Sequence, residues 1–233
     1  MSLIGRVKRG YLIWSKKQIV VIEHRAAGVQ SGIGKRHQMS KIFYTSDLHF
    51  GHVNIIKFDQ RPFKDIQEME EKLIENWNNV VTKQDITYIL GDFCWSKDPK
   101  EWIRLLDSLS GAKVLIKGNH CLSSFSAELK RRFADIKDYK EITDDGRHVI
   151  MCHYPILLYK GAYNPNCYML CGHVHKTREN DFLNEWKAEL RNTCCNPGDN
   201  RGNIYNVGCM LHGYTPRTLD EIIFDDCQQS VLN

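Results

Sequence analysis

Apolar side chains recur between residues 65 and 82 at Ile66, Met69, Leu73, Ile74, Trp77, Val80 and Val81, with acidic residues among them. Steps of three and four set these positions on one face, so the pattern predicts an amphipathic helix over 65–82. Short β-prone runs flank it, residues 42–46 before and 85–90 after, and each predicts a strand. Asp98-Pro99 then opens a second helix carrying Trp102, Ile103, Leu105, Leu106 and Leu109, because a first-turn position has no use for the N–H that proline lacks. Residues 113–117 read as a strand, 124–134 as a helix, and 147–152, 168–171 and 203–207 as strands. Strands that alternate with helices early and crowd together later predict an α/β domain, with a sheet of mixed direction covered by helices.

Residues 1–38 lack a clear amphipathic period and carry a glycine-rich piece around Gly28, Gly32 and Gly34. They are read as an N-terminal extension, poorly ordered, and 39–233 as the domain proper, with Met39 a plausible start for the minimal protein. Within the first 41 residues nine lysines and arginines face Glu23 alone, so the basic excess behind the net charge of +4 sits there. Such a mild excess does not indicate a nucleic-acid partner. The apolar runs at 11–14 and 19–22 are too short to span a bilayer, so no membrane association is expected. Nine cysteines form an odd set with no regular framework, which fits a reducing cytosol and a cytoplasmic protein.

The chemistry-bearing residues fall at the ends of predicted strands. Strand 42–46 runs into Asp47-Leu48-His49, strand 85–90 into Gly91-Asp92, and strand 113–117 into Gly118-Asn119-His120. Strand 147–152 is followed by His153, and 168–171 by Gly172-His173-Val174-His175. Ligands of α/β sheets bind outside the carboxyl ends of the strands, so these five loops are expected to converge on one crevice. Two carboxylates, one amide oxygen and several imidazoles suit Mn, Fe or Zn better than Ca, without the thiolates of a structural zinc site. Residues two apart in extended segments point the same way, so Asp47 with His49, and His173 with His175, can face the crevice together. Glycines 91, 118 and 172 permit close backbone approach beside them.

The order Asp-x-His, Gly-Asp, Gly-Asn-His, His, Gly-His-x-His resembles the calcineurin-like metallophosphoesterases over residues 41 to about 223. It is similar to a small bacterial and phage-type subgroup through Thr45-Ser46-Asp47-Leu48-His49-Phe50-Gly51-His52, Arg61-Pro62-Phe63, Tyr88-Ile89-Leu90-Gly91-Asp92-Phe93 and Asn206-Val207-Gly208. The resemblance implies an α/β/β/α sandwich of two sheets with a dinuclear metal site at the strand C-terminal ends. Asp47, His49 and His175 would hold one divalent ion, Asn119, His153 and His173 the other, and Asp92 would bridge them, with Mn the favoured metal. His120 would face the scissile phosphate as the catalytic residue. The implied activity is hydrolysis of a phosphodiester or phosphomonoester, a nucleotide among the candidates, by in-line attack of a water that two metals bring to ionise near neutral pH. The family commonly has an acidic residue after Gly-Asn-His, where this chain has Cys121, a poor acceptor. Either another carboxylate substitutes or His120 acts mainly as a neutral donor.

Other residues admit two readings. Arg61 is a candidate to grip a phosphate oxygen, since a guanidinium fork matches phosphate, or else a salt bridge fixing the loop before helix 65–82. His52 is either support for the crevice or plain structure. Cys167, Cys171, Cys194 and Cys195 do not match a zinc-knuckle spacing and are read as ordinary thiols, while the polar segment 192–203 is expected to border the cleft. The rival from another class is a catalytically weak metal-binding or regulatory module of the same fold.

Overall fold

The computed structural model describes residues 12–15, 18–21, 40–193 and 202–232. The chain divides into two units, Met1–Gln38 and Met39–Asn233. In the first, β1 (Leu12–Ser15) pairs antiparallel with β2 (Gln18–Val21), a hairpin where the sequence pattern predicts no element.

The second unit holds two four-stranded sheets. In the first, β3 (Ile42–Thr45), β4 (Ile86–Leu90), β5 (Ala112–Ile116) and β6 (Asp135–Lys137) lie in sequence order, all parallel. The second sheet places β7 (Tyr139–Asp144), β8 (Arg147–Cys152), β9 (Cys167–Cys171) and β10 (Ile204–Asn206) side by side. Here β8, β9 and β10 are parallel, and β7 returns antiparallel on the edge. The single mixed sheet expected from strand spacing is therefore two sheets, as the family resemblance implies.

Alternation along the strands builds the layers. Tyr88, Leu90, Val114 and Ile116 of the first sheet meet Val149, Met151, Leu170 and Tyr205 of the second in a buried cluster between them. The outer face of the first sheet, through Phe43, Ile89 and Leu115, packs on α1 (Ile55–Phe58), α2 (Ile66–Val80), α3 (Pro99–Ser108) and α4 (Ala127–Lys130), which bury Ile55, Met69, Leu73, Trp77, Trp102, Leu105 and Leu129. The outer face of the second, through Ile150, Met169 and Ile204, packs on Leu183 of α5 (Arg178–Thr193). These four layers are the α/β/β/α sandwich.

The helices start where their capping residues dictate. Asp65 accepts from the Glu68 N–H at the head of α2, and Asp98 from the Lys100 N–H at the head of α3. Trp77 and Trp102 fill the core and satisfy their indole N–H groups on the carbonyls of Ser110 and Ser96, at 2.9 and 2.8 Å. The helix expected over 124–134 shrinks to one turn, Ala127–Lys130, because Ala134 N–H already bonds Lys113 O to begin the β6 pairing. No described helix is long and apolar enough to cross a membrane.

The two sheets are tied together where their strands end. Ser46, just beyond β3, forms a parallel bridge with Gly208, just beyond β10, and Cys209 N–H donates to Ser46 O at 2.9 Å. The carboxyl ends of both sheets thus open on the same side.

Candidate metal centre

The loop after β3 continues alongside the loop after β4: His49 N–H donates to Asp92 O at 2.9 Å and Phe50 N–H to Phe93 O at 3.0 Å. That pairing carries Asp47 and His49 beside Asp92. Ligand atoms of Asp47, His49 and His175 all lie within 4.8 Å of one another, as do those of Asp47, Asp92 and His153. Asn119 Oδ1 stands 2.9 Å from His153 Nε2 and 3.0 Å from His173 Nδ1. The seven residues singled out as metal-capable therefore meet in one cleft, and they arrive from both sheets.

Close approach of backbone makes the cleft possible. A Cβ on Gly118 would overlap Asp92 Oδ1, one on Gly172 would overlap Ser46 Oγ and Asp47 Oδ2, and one on Gly91 would overlap the His153 ring.

The donor set fits a cation. His153 Nδ1 lies 2.7 Å from Leu90 O, which can only accept, so Nδ1 carries the proton and Nε2 offers a lone pair. That lone pair faces Asn119 Oδ1 and, at 3.7 Å, Asp92 Oδ2. His175 repeats the pattern: Nδ1 is 2.8 Å from Asp59 Oδ1, while Nε2 faces His49 Nε2 at 3.2 Å and Asp47 Oδ1 at 3.6 Å. Acceptors converge here, an arrangement that positive charge relieves.

Electrostatics agree. Burial raises the Asp47 carboxyl, so its anion gains from a cation alongside. Burial, reinforced by His175 and Arg61, pushes His49 down to about 2 and keeps it neutral, the form that coordinates. His173 is lowered by burial and by His153. His175 is raised, since the Asp59 hydrogen bond and the Asp47 charge more than offset its burial.

The sequence profile described as Calcineurin-like phosphoesterase matches residues 40–225. The chain belongs to the calcineurin-like phosphoesterase family. An uncharacterised protein of the archaeon Methanocaldococcus jannaschii is 34% identical over 188 residues, covering 79% of this chain and 90% of its own. The Gene 66 protein of Mycobacterium phage L5 is 39% identical over 85 residues, 35% of this chain and 40% of its own, and fits the bacterial and phage-type subgroup. A crystal structure of a protein of unknown function from Aquifex aeolicus superposes with a TM-score of 0.56 at 28% identity, covering 79% of this chain and 98% of that one.

Arg61 is turned into the protein. Its side chain is 0% exposed and donates to Asp47 O at 2.9 Å, Leu48 O at 3.0 Å and Asp59 Oδ2 at 2.9 Å. With the fork spent on these acceptors, the geometry matches the loop-fixing reading and not the phosphate grip. Asp59 is the residue that sequence reasoning misses. It joins Arg61 to His175, and so couples the loop after β3 to the loop after β9. Its carboxyl lies below the usual range, burial being outweighed by His175 and Arg61.

His52 is buried and stacks on Trp95, ring centroids 3.8 Å apart and planes 5° off parallel. His120 sits beside Trp95 with Nε2 4.0 Å from Asp92 Oδ2, and its backbone N–H donates to Asp92 Oδ1 at 3.0 Å. Cys121 turns its sulfur to Gly118 N–H at 3.2 Å. Cys167 and Cys171 are buried free thiols; Cys194, Cys195 and most of the 192–203 segment lie outside the described residues.

Proposed function

We propose that the protein hydrolyses phosphoesters, diester or monoester, with two divalent ions held in this cleft, Mn favoured over Fe or Zn. Asp47, His49 and His175 would hold one ion, Asn119, His153 and His173 the other. Asp92 would serve both. The observation that carries this reading is the position of Asp92 Oδ2, which lies 3.7 Å from His49 Nε2 on one side and 3.7 Å from His153 Nε2 on the other. When bound, such a pair supplies the Lewis acidity that activates water and offsets phosphoryl charge.

The chain's own groups do the rest. His120, with 38% of its side chain exposed, is accessible from the cleft and donates a hydrogen bond or a proton to the departing oxygen. Nearby thiols do not compete as nucleophiles. Burial pushes Cys209 up to about 12 and raises Cys121, so both stay protonated. The odd, unpatterned cysteine set favours work in a reducing cytosol.

The second reading, a metal-binding module with little turnover, draws on Cys121, which leaves His120 without an adjacent acidic residue. Titrating Mn into metal-free protein with an aryl phosphodiester and an aryl monoester present separates the two. Hydrolysis that rises with metal uptake is the expected result; tight uptake without hydrolysis would favour the module.

A further inference from the structure

We infer that the row of aromatic rings Phe58, His52, Trp95 and His120 is a stacking shelf for the base of a nucleoside phosphoester, the substrate class of the hydrolase proposed above and resting on that reading. Consecutive ring centroids along the row are 6.2, 3.8 and 4.7 Å apart. It begins on the surface and ends on the histidine assigned to the leaving group. Trp95 is also 6.4 Å from His49, a candidate ligand, so a ring on this indole would lie within one nucleoside of the metal-capable side chains.

Trp95 is held like a part of a site. Its N–H donates to Phe50 O at 2.9 Å, and Ser96 O accepts from the Trp102 indole at 2.8 Å, so the backbone is fixed on both sides. The buried His52 ring covers one indole face in near-parallel register. Even so Trp95 remains 38% exposed, and Phe58 beyond it 71% exposed. A rigid indole fixed by its backbone and by a stacked ring, with 38% of its surface exposed, is preorganised for a flat partner, because aromatic rings bury large area at small entropic cost.

Chemistry around the shelf favours a nucleotide over a plain apolar ring. Lys97 Nζ lies over the Trp95 ring, 5.9 Å from its centroid, and donates to His120 O at 3.3 Å, a cation beside the shelf that would meet a phosphate. His52 Nδ1, within the row, is buried without a hydrogen-bond partner among the described residues. Base stacking on an aromatic side chain accounts for roughly ten- to a hundredfold in affinity and tolerates any base.

The test compares the Mn-loaded full chain with Trp95→Ala and Trp95→Phe on two diesters of matched leaving-group pKa, a dinucleoside monophosphate and a glycerol alkyl phosphodiester. Trp95→Ala is expected to lower the nucleoside-to-alkyl ratio of kcat/KM by about tenfold or more, through KM, and Trp95→Phe to restore most of it. An unchanged ratio in Trp95→Ala overturns the shelf while leaving the hydrolase reading intact. Tryptophan fluorescence provides a second readout independent of turnover. Adenosine monophosphate is expected to quench the wild type and not Trp95→Phe, whereas inorganic phosphate quenches neither. Quenching without hydrolysis of either diester or of adenosine monophosphate would keep the shelf and sink the hydrolase reading. Equal quenching of wild type and Trp95→Phe would sink the shelf, including the case in which Trp95→Ala fails to fold.

Discussion

Asp47, His49, Asp92, His173 and His175 all have positive φ, between 45° and 71°. Each such backbone is sparsely populated for a residue with a side chain and costs about 1–3 kcal/mol, although Asp and His adopt it more readily than most. Five in one cleft are sustained because neighbours fix them, and Asp59 is the neighbour with the widest reach. It holds the His175 Nδ1–H and, through Arg61, the carbonyls of Asp47 and Leu48. Asp59→Asn is expected to weaken binding of one metal equivalent by about ten- to a hundredfold while the other is less affected. Calorimetric titration of metal-free variant and wild type checks this; identical affinities for both equivalents would show that Asp59 does not orient His175. The D-x-H, G-D, G-N-H and G-H-x-H sets were legible because strand-end spacing is local. Asp59 was not, since its partner is 116 residues away and nothing near Phe58-Asp59-Gln60 marks a ligand support.

Among the elements, β3, α2, β4, α3, β5, β8, β9 and β10 stand within about two residues of where the apolar pattern puts them. What failed to show did so for identifiable reasons. In α5, Leu183 and Trp186 lie on the packed face with Lys187, whose charge interrupts the apolar stripe and is met by Asp226 of α6 (Leu219–Leu232). Strand β7 is an edge with few apolar positions, yet Asp145-Gly146 between it and β8 carries the two-residue hairpin signal, both residues at positive φ. The start of β3 and the turn into β4 hang on Asp85, which accepts from Lys41 N–H at 2.8 Å and from the Thr82 N–H and hydroxyl at 2.7 Å each. Burial works against its charge, but these donors hold its carboxyl below the usual value. A depressed carboxyl stabilises the fold fully above the unfolded value of about 3.9, and the contribution disappears as pH falls through the folded value. Asp85→Ala is expected to cost about 2 kcal/mol at pH 7, with the gap to wild type closing in acid. Thermal melts across pH 2–7 measure it; a gap that does not narrow below pH 4 would contradict the charge-based account.

For the whole molecule, two sheets rather than one decide where the site can be, because candidate ligands for each ion come from both and the cleft exists only when the sheets are closed on their shared core. Strand spacing alone could not distinguish one mixed sheet from two, since pairing between β8, β9 and β10 depends on crossovers that local pattern does not encode. The second unit contains every residue of the cleft, so a chain beginning at Met39 is expected to unfold cooperatively and to hydrolyse a generic ester like the full chain. Loss of a cooperative melt on that deletion would show that residues 1–38 complete the core. If Asp92 serves two ions at once, metal stoichiometry must differ between wild type and Asp92→Asn. Metal-free wild type titrated with Mn is expected to bind two equivalents, and Asp92→Asn to lose tight binding together with hydrolysis. An Asp92→Asn variant that keeps both equivalents and normal turnover would show that Asp92 does not bridge two ions.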